Sequence, residues 1–178
     1  MAETGDQQQC SSLVGVVPTC KDFLVGVSVL VRRECDGKYL VVQEFCNQGF
    51  YMPAGLASPG ETPQEATVRE AMEEAGVEVE LTGILQVRYG LHPGREGAMR
   101  IIVHYTGKPK CETAETKSVP DFESIGAVWA SEEELSTVRL RNGKQVLNMI
   151  AMSKNPAHIW PLSALSELTA VQSDALEE

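Results

Sequence analysis

Three carboxylates set close together carry the clearest chemical potential of this sequence. Glu70, Glu73 and Glu74 fall at i, i+3 and i+4 within Arg69-Glu70-Ala71-Met72-Glu73-Glu74-Ala75-Gly76. On a helix that spacing gathers them on one face, where each like-charged pair costs about 0.2–0.5 kcal/mol. A hard divalent cation such as Mg²⁺ or Mn²⁺, which prefers oxygen ligands, would turn the repulsion into attraction. An ion held there acts as a Lewis acid toward phosphorus and lowers the pKa of a bound water. The competing reading is a plain solvated acidic face.

A second group of residues suits an anionic ligand. Between Gln86 and Lys110 the basic side chains Arg88, Arg95, Arg100, Lys108 and Lys110 stand against a single acid, Glu96. Arg88 and Arg100 fall in segments that read as strands, and an arginine fork can bind two phosphate oxygens. The alternative is exposed strand charge. Phe50, Tyr51, Tyr89, Phe122 and Trp129 are available to stack on a base. Tyr51 and Phe122 stand out, because both adjoin loops expected to face the site; the ordinary role of such rings is core packing. His92, His104 and His158 show no metal-ligand spacing and read as surface or internally satisfied residues.

These residues need a frame. Residues 23–32, rich in Val and Leu, read as a buried strand. Asp36-Gly37 is a hairpin signal and residues 39–45 the returning strand. Residues 50–59, with Pro, Gly and Ser, read as a loop. Thr62-Pro63-Gln64-Glu65 is a helix start of the capping-box type, with Thr62 as N-cap and Pro63 as first helical residue. The helix should end at Ala75, with Gly76 taking the left-handed conformation. Residues 77–91 and 99–106 read as strands around a loop, and 125–130 as a short strand. A second capping box spans Ser131–Glu134, and residues 142–152 carry helical periodicity. Strands before and after an enclosed helix indicate a mixed α/β domain.

Composition sets the outer limits. The chain has 178 residues, 43% of them hydrophobic, so disorder throughout is excluded. The longest nearly unbroken apolar run, residues 23–31, falls far short of the roughly 20 residues of a membrane span, so no membrane partner is expected. A net charge of −10 argues against a general binder of nucleic-acid polymers. It permits a small phosphate substrate if a metal ion supplies positive charge. Five cysteines without CxxC spacing indicate neither a zinc site nor a disulfide framework. The N-terminus has no secretory or mitochondrial character, which makes a cytoplasmic location the default expectation. Residues 1–20 read as a flexible arm, 21–165 as the folded domain and 166–178 as an acidic tail.

The spacing Gly55, five residues, Glu61, seven residues, Arg69-Glu70-Ala71-x-Glu73-Glu74-x-Gly76-Val77 matches the Nudix box at every specified position. The chain resembles the Nudix hydrolases, and the flanking strand pattern extends the likeness over residues 20–155. The resemblance implies an α/β/α sandwich with a mixed β-sheet and the box as a loop–helix–loop. It implies hydrolysis of a pyrophosphate bond in a nucleoside diphosphate derivative, with Mg²⁺ or Mn²⁺ as cofactor. Glu70, Glu73 and Glu74 fall on the metal-binding positions, joined by the carbonyl of Ala54. Glu61 falls on a supporting position, and Arg69 on the arginine that pairs with a box carboxylate. Gly55 allows close backbone approach and Gly76 ends the helix. The proton acceptor for the attacking water is Glu70 or, in the loop before Trp129, Glu123. The alternative for Glu123 is a solvated loop carboxylate.

The likeness points to ADP-ribose-like derivatives or to oxidised purine nucleoside di- or triphosphates. Tyr51 stands where one oxidised-triphosphate hydrolase has a base-reading Asn, and Ala54 where many relatives have a glycine. Both departures weigh against oxidised-guanine selectivity. The family often forms homodimers, which nothing in this chain demands. Two other readings are a module of the same fold that senses a nucleotide without turnover, and a structural partner protein with a fortuitous acidic helix.

Overall fold

The computed structural model describes residues 23–92, 94–95 and 97–166. The expected arm over 1–20, nearly all of the tail over 166–178, Cys10, Cys20 and Glu96 lie outside the described residues.

Among the described residues, seven strands and three α-helices follow in chain order: β1 (Phe23–Val31), β2 (Tyr39–Glu44), β3 (Gly49–Tyr51), β4 (Ala54–Leu56), α1 (Pro63–Ala75), β5 (Val79–Leu91), β6 (Met99–Pro109), β7 (Gly126–Ala130), α2 (Glu132–Thr137) and α3 (Gln145–Ser153). One sheet has the order β4-β1-β6-β5, the other β3-β2-β7. β1 runs parallel to β6, while β4 and β5 are antiparallel to their neighbours, so the first sheet is mixed.

Period-2 alternation on β1 decides which residues face which helix. Val27, Val29 and Val31 meet Ala66, Ala71 and Ala75 of α1, together with Val103 and Tyr105 of β6 and Leu40 and Val42 of β2. Leu30 joins the opposite core with Val41, Met52, Leu85, Leu135 of α2 and Val146, Met149 and Ile150 of α3. The sheets therefore lie between α1 on one side and α2 and α3 on the other, the α/β/α arrangement expected. Each of the Val, Leu, Ile and Met side chains among them contributes about 1.5–3 kcal/mol on full burial. The small Ala residues of α1 let the helix sit close to the sheet.

Both capping boxes form. Thr62 Oγ1 accepts from Glu65 N at 3.2 Å, and Thr62 N donates to Glu65 Oε2 at 2.9 Å. Ser131 and Glu134 repeat the pattern at α2. Gly76 ends α1 at φ 69°, in the left-handed region. The segment read as a loop, 50–59, is only partly one: it holds most of β3 and all of β4. These pair with β2 and β1 over three residues each, too short a run to leave a periodic signal. The strand expected from residue 77 begins at Val79, because Val77 packs beneath α1. Among the described residues, Cys35, Cys46 and Cys111 are free and exposed, and no helix is long and apolar enough to cross a membrane.

Candidate active site

The acidic face of α1 is held by one arginine. Arg69 Nε and Nη2 donate to the two oxygens of Glu61 at 2.8 and 2.9 Å. Its Nη1 donates to Glu70 Oε1 and to Glu73 Oε2, both at 2.8 Å, and Nη2 also reaches the Leu56 carbonyl at 3.0 Å. The sequence led us to expect one carboxylate partner for Arg69; the structure gives three. Hydrogen bonds from Arg69, with help from Ser58 N, hold the Glu61 carboxyl below its ordinary range. The hydrogen bond to Glu61, more than any other contact, keeps Arg69 firmly charged.

Glu70 and Glu74 are the strained members. Burial raises the pKa of Glu70, and the charges of Glu73 and Glu123 add to the rise while Arg69 opposes it. Burial also pushes Glu74 up to about 8, with the Ala54 amide opposing and the charges of Glu70, Glu44 and Glu123 reinforcing. Ala54, expected to offer its carbonyl, is joined to the cluster by its N–H, which donates to Glu74 Oε2 at 2.8 Å. A Cβ added to Gly55 would overlap the Glu70 carboxylate, so this glycine is required for the loop to close over the helix.

The end of α1 is fastened from a distant segment. Lys117 Nζ donates to the Glu73 carbonyl at 2.8 Å and Ser124 Oγ to the Glu74 carbonyl at 2.6 Å. Lys117 N donates to the Ala75 carbonyl at 2.8 Å. These donors satisfy carbonyls that every helix leaves unpaired at its C-terminus. The same fastening brings Glu123 within electrostatic reach of Glu70 and Glu74. Phe122, one residue earlier, is 88% exposed and does not line the cleft described next. The turn held by Asp121, whose Oδ1 accepts from Glu123 N and Ser124 N, presents the two side chains differently.

Gly55 also lies on the edge of a cleft of about 750 Å³. Arg88, Arg100 and Arg141 all line it. The β5/β6 register pairs Gly90 with Arg100 and Arg88 with Ile102, which puts both predicted arginines on one face of the sheet. Lys108 and Lys110, counted with them in the sequence, instead pair with Glu80 and Glu78, each at 3.4 Å. Tyr51 lines the cleft but is buried, with the Arg141 guanidinium 5.4 Å from its ring centroid. That ring is already covered by a cation, so it supports the wall more than it offers an open stacking face. Trp129 is engaged elsewhere: Arg33 lies 4.5 Å from its centroid and its Nε1 donates to the Ala114 carbonyl.

Four residues of this region escaped the sequence reading. Arg141 is delivered by segment 139–141, which pairs with β3 through Phe50 N to the Arg139 carbonyl and Arg141 N to the Phe50 carbonyl. The readable signal was Asn142-Gly143, where both residues adopt positive φ. Glu44 at the end of β2 accepts from Arg141 Nη1 at 2.7 Å and adds its charge to Glu74, so it joins cleft to acidic face. Ser28 and His104 are paired in the β1/β6 register, and Ser28 Oγ lies 2.6 Å from His104 Nδ1. His104, expected at the surface or satisfied, is buried with Nε2 unpartnered. Burial, reinforced by Arg88 and Arg100, pulls its pKa down to about 4, so the imidazole is neutral at pH 7. A lone polar residue at the centre of an otherwise apolar strand was the available sign.

The acidic face of α1 adjoins, through Ala54 and Gly55, a cleft lined by three arginines. Comparison with known proteins places this arrangement. The NUDIX domain family model matches residues 22–150, and the chain belongs to that family. It is 30% identical over 132 residues to "Putative nudix hydrolase 1" of Caenorhabditis elegans, an alignment covering 71% of this chain and 34% of that protein. It is 33% identical over 101 residues to the human "8-oxo-dGDP phosphatase NUDT18", covering 55% of this chain and 29% of that one. The chain thus spans about a third of the length of these curated relatives. Its fold is similar to that of the "NUDIX hydrolase from Nitrosomonas europaea", with a TM-score of 0.65, 21% identity and coverage of 82% of this chain and 97% of that one.

Proposed function

We propose that the protein hydrolyses a phosphoanhydride bond in a nucleoside diphosphate derivative, either ADP-ribose-like or an oxidised purine nucleoside di- or triphosphate, with the help of Mg²⁺ or Mn²⁺. The observation that carries this reading is that Gly55 adjoins the Glu70 carboxylate and also lines the arginine cleft. Substrate phosphates lying along Arg88 and Arg141 would end beside the acidic face.

The donor set fits a hard dication. Glu70, Glu73 and Glu74 offer only oxygens, and burial, reinforced by like charges, raises Glu70 and Glu74, a penalty that a positive ion would relieve. Glu61 supports them through Arg69. When bound, the ion supplies charge neutralisation for the diphosphate and acidity to a coordinated water. The rest falls to the chain. Arg88 and Arg141 orient the phosphates by charge-assisted hydrogen bonds. Water attacks phosphorus in line, its oxygen forms the new bond, and the bridging oxygen leaves with its electron pair. Glu70 takes the proton. Its Oε1 is occupied by Arg69, so the proton goes to Oε2, on a carboxyl whose raised pKa makes it a better base than an ordinary one. Glu123 is the second candidate for that role.

The second reading, nucleotide sensing without turnover, has one observation in its favour. Arg69 engages both Glu70 and Glu73, and among the described residues no three His, Cys, Asp or Glu side chains converge in a ligating group. A panel of ADP-ribose, oxidised and normal nucleoside di- and triphosphates, dinucleoside polyphosphates and nucleotide sugars separates the readings. We expect phosphate or nucleoside monophosphate release with Mg²⁺ or Mn²⁺ and none with chelator. Nucleotide-induced stabilisation without product would select the sensing module.

A further inference from the structure

Two buried polar atoms beside the cleft find no hydrogen-bond partner among the described residues: His104 Nε2 and Arg100 Nε. Both residues line the cleft, and His104 is only 2% exposed. They stand four residues apart on β6, on the same face of the strand. A buried donor without a partner is costly, so a pair of them at one wall marks a place where something else completes the bonds.

The side chains around them explain what they can offer. Arg100 lies against β1 where Gly26 has no side chain: a Cβ there would come within 3.5 Å of Arg100 Nη2 and 3.6 Å of Nε. Its Nε always carries a proton, so it is a fixed donor. For His104 the proton's position follows from Ser28. The Ser28 hydroxyl, itself 2% exposed, has Nδ1 as its partner at 2.6 Å. Were Nδ1 protonated, the hydroxyl would accept and its own proton would be stranded in a buried site. The arrangement that strands nothing has Ser28 Oγ–H donating to Nδ1, which places the imidazole proton on Nε2. The cleft wall then shows two N–H donors among Leu24, Val27 and Ile102. Two fixed donors in a lining that also holds Leu24, Val27 and Ile102 suit the polar edge of a flat ring.

Resting on the nucleotide reading above, we propose that His104 Nε2–H and Arg100 Nε–H form a paired-donor wall that selects a carbonyl-bearing base, such as a guanine or an oxidised purine, over an adenine-type base with an amino group at that edge. Selection arises because the amino group brings a second donor against a donor, leaving both unpaired. Tyr51 in place of a base-reading Asn then means that a different strand reads the base.

Nucleoside monophosphates test this without metal and without a bond to cleave. Titration calorimetry of the metal-free protein with GMP, 8-oxo-GMP and AMP should show at least one of the first two binding about tenfold tighter than AMP or better. His104→Leu should bring that ratio close to one. Ser28→Ala keeps the imidazole but releases its tautomer; it should lower the ratio several-fold even if His104→Leu fails to fold. Ring ¹⁵N shifts should report a protonated Nε2 in the wild type and a mixed tautomer in Ser28→Ala. AMP binding as tightly as both keto nucleotides, a ratio unmoved in a folded His104→Leu or in Ser28→Ala, a proton on Nδ1, or no binding by any of the three would overturn the proposal. Turnover in the substrate panel with no base discrimination sinks this inference alone. Base discrimination with no turnover sinks the hydrolase reading alone.

Discussion

Gly55 separates two regions built on opposite plans. On its helix side, Glu61, Glu70 and Glu73 gather around Arg69 and Glu74 accepts from the Ala54 amide, all within one loop and one helix. On its cleft side, Arg88, Arg100, Arg141, Ser28 and His104 come from β1, β5, β6 and the segment after α2, up to 113 positions apart in the chain. The helix side closes its hydrogen bonds locally but holds more carboxylates than its one arginine can neutralise. The cleft side leaves donors unpaired. A region that closes its own hydrogen bonds is prepared for one kind of guest, a cation, whereas one with open donors is prepared for acceptors. The contrast predicts that damage on the helix side costs rate and damage on the cleft side costs selectivity.

The sharpest test of the helix side is Glu74→Gln. We expect turnover to fall by about 10³-fold, the scale of losing several kcal/mol of charge stabilisation in the transition state. The folded chain without metal should melt at or above the wild-type temperature, since a neutral amide removes a buried group crowded by like charges. A parallel loss of rate and stability would mean that Glu74 serves the fold.

Gly55→Ala strikes the boundary itself. A methyl group there overlaps the Glu70 carboxylate, so either the loop or Arg69's partner must shift. Overpacking of this kind costs about 1–3 kcal/mol of stability. Rate should fall about 10²-fold, because a carboxylate moved by a fraction of an ångström loses its alignment. Denaturant melts and initial rates of the same sample check both figures.

Titration of stability distinguishes the sides by sign. The His104 pKa is about 4 in the folded protein and about 6.5 unfolded. Between those values the unfolded chain holds a proton that the folded one does not, so stability rises with pH and is lost as pH falls. The loss from this residue reaches roughly 3 kcal/mol below pH 4. His104→Leu should therefore gain on the wild type by up to that amount as acid is added, measured as the difference between their urea unfolding free energies. Glu74, raised to about 8, has the opposite slope: without metal, its contribution falls as pH rises from 4.5 to 8. Glu74→Gln should flatten that limb in chelator, and His104→Leu should leave it untouched.

The same division decides how much could be read in advance. The box helix, its two ends and its acidic face are written within residues 55–77, where i, i+3, i+4 spacing and cap chemistry act locally. The strands that alternate or run apolar were equally readable. β3 and β4 were not, because three-residue strands exist only through their partners. Arg88 and Arg100 could be nominated but not separated from Lys108 and Lys110, since only the folded pairing of β5 with β6 sets those lysines beside Glu80 and Glu78, away from the cleft. His104 could not be told from a satisfied histidine, because its pairing with Ser28 spans 76 positions. Phe122 looked well placed along the chain, and only the turn at Asp121 decides which way it faces.

The smallest expected effects compare a near support of the helix with a remote one. Thr62→Ala removes the N-cap and should cost about 1 kcal/mol. Ser124→Ala removes the 2.6 Å hydrogen bond to the Glu74 carbonyl and should also cost about 1 kcal/mol. Thermal melts would hardly distinguish them. Rates should. Thr62 holds the first turn, whereas Glu70, Glu73 and Glu74 lie in the last two, so fraying at the cap stops before it reaches them. Ser124 holds the turn that carries Glu74 and adjoins Glu123 in the same loop. We expect an unchanged kcat for folded Thr62→Ala and a several-fold lower kcat for Ser124→Ala, with KM moved little in either. Equal rates in both variants would mean that the acidic face holds its shape from within the helix, and that the contact across 50 positions serves only to tether the loop.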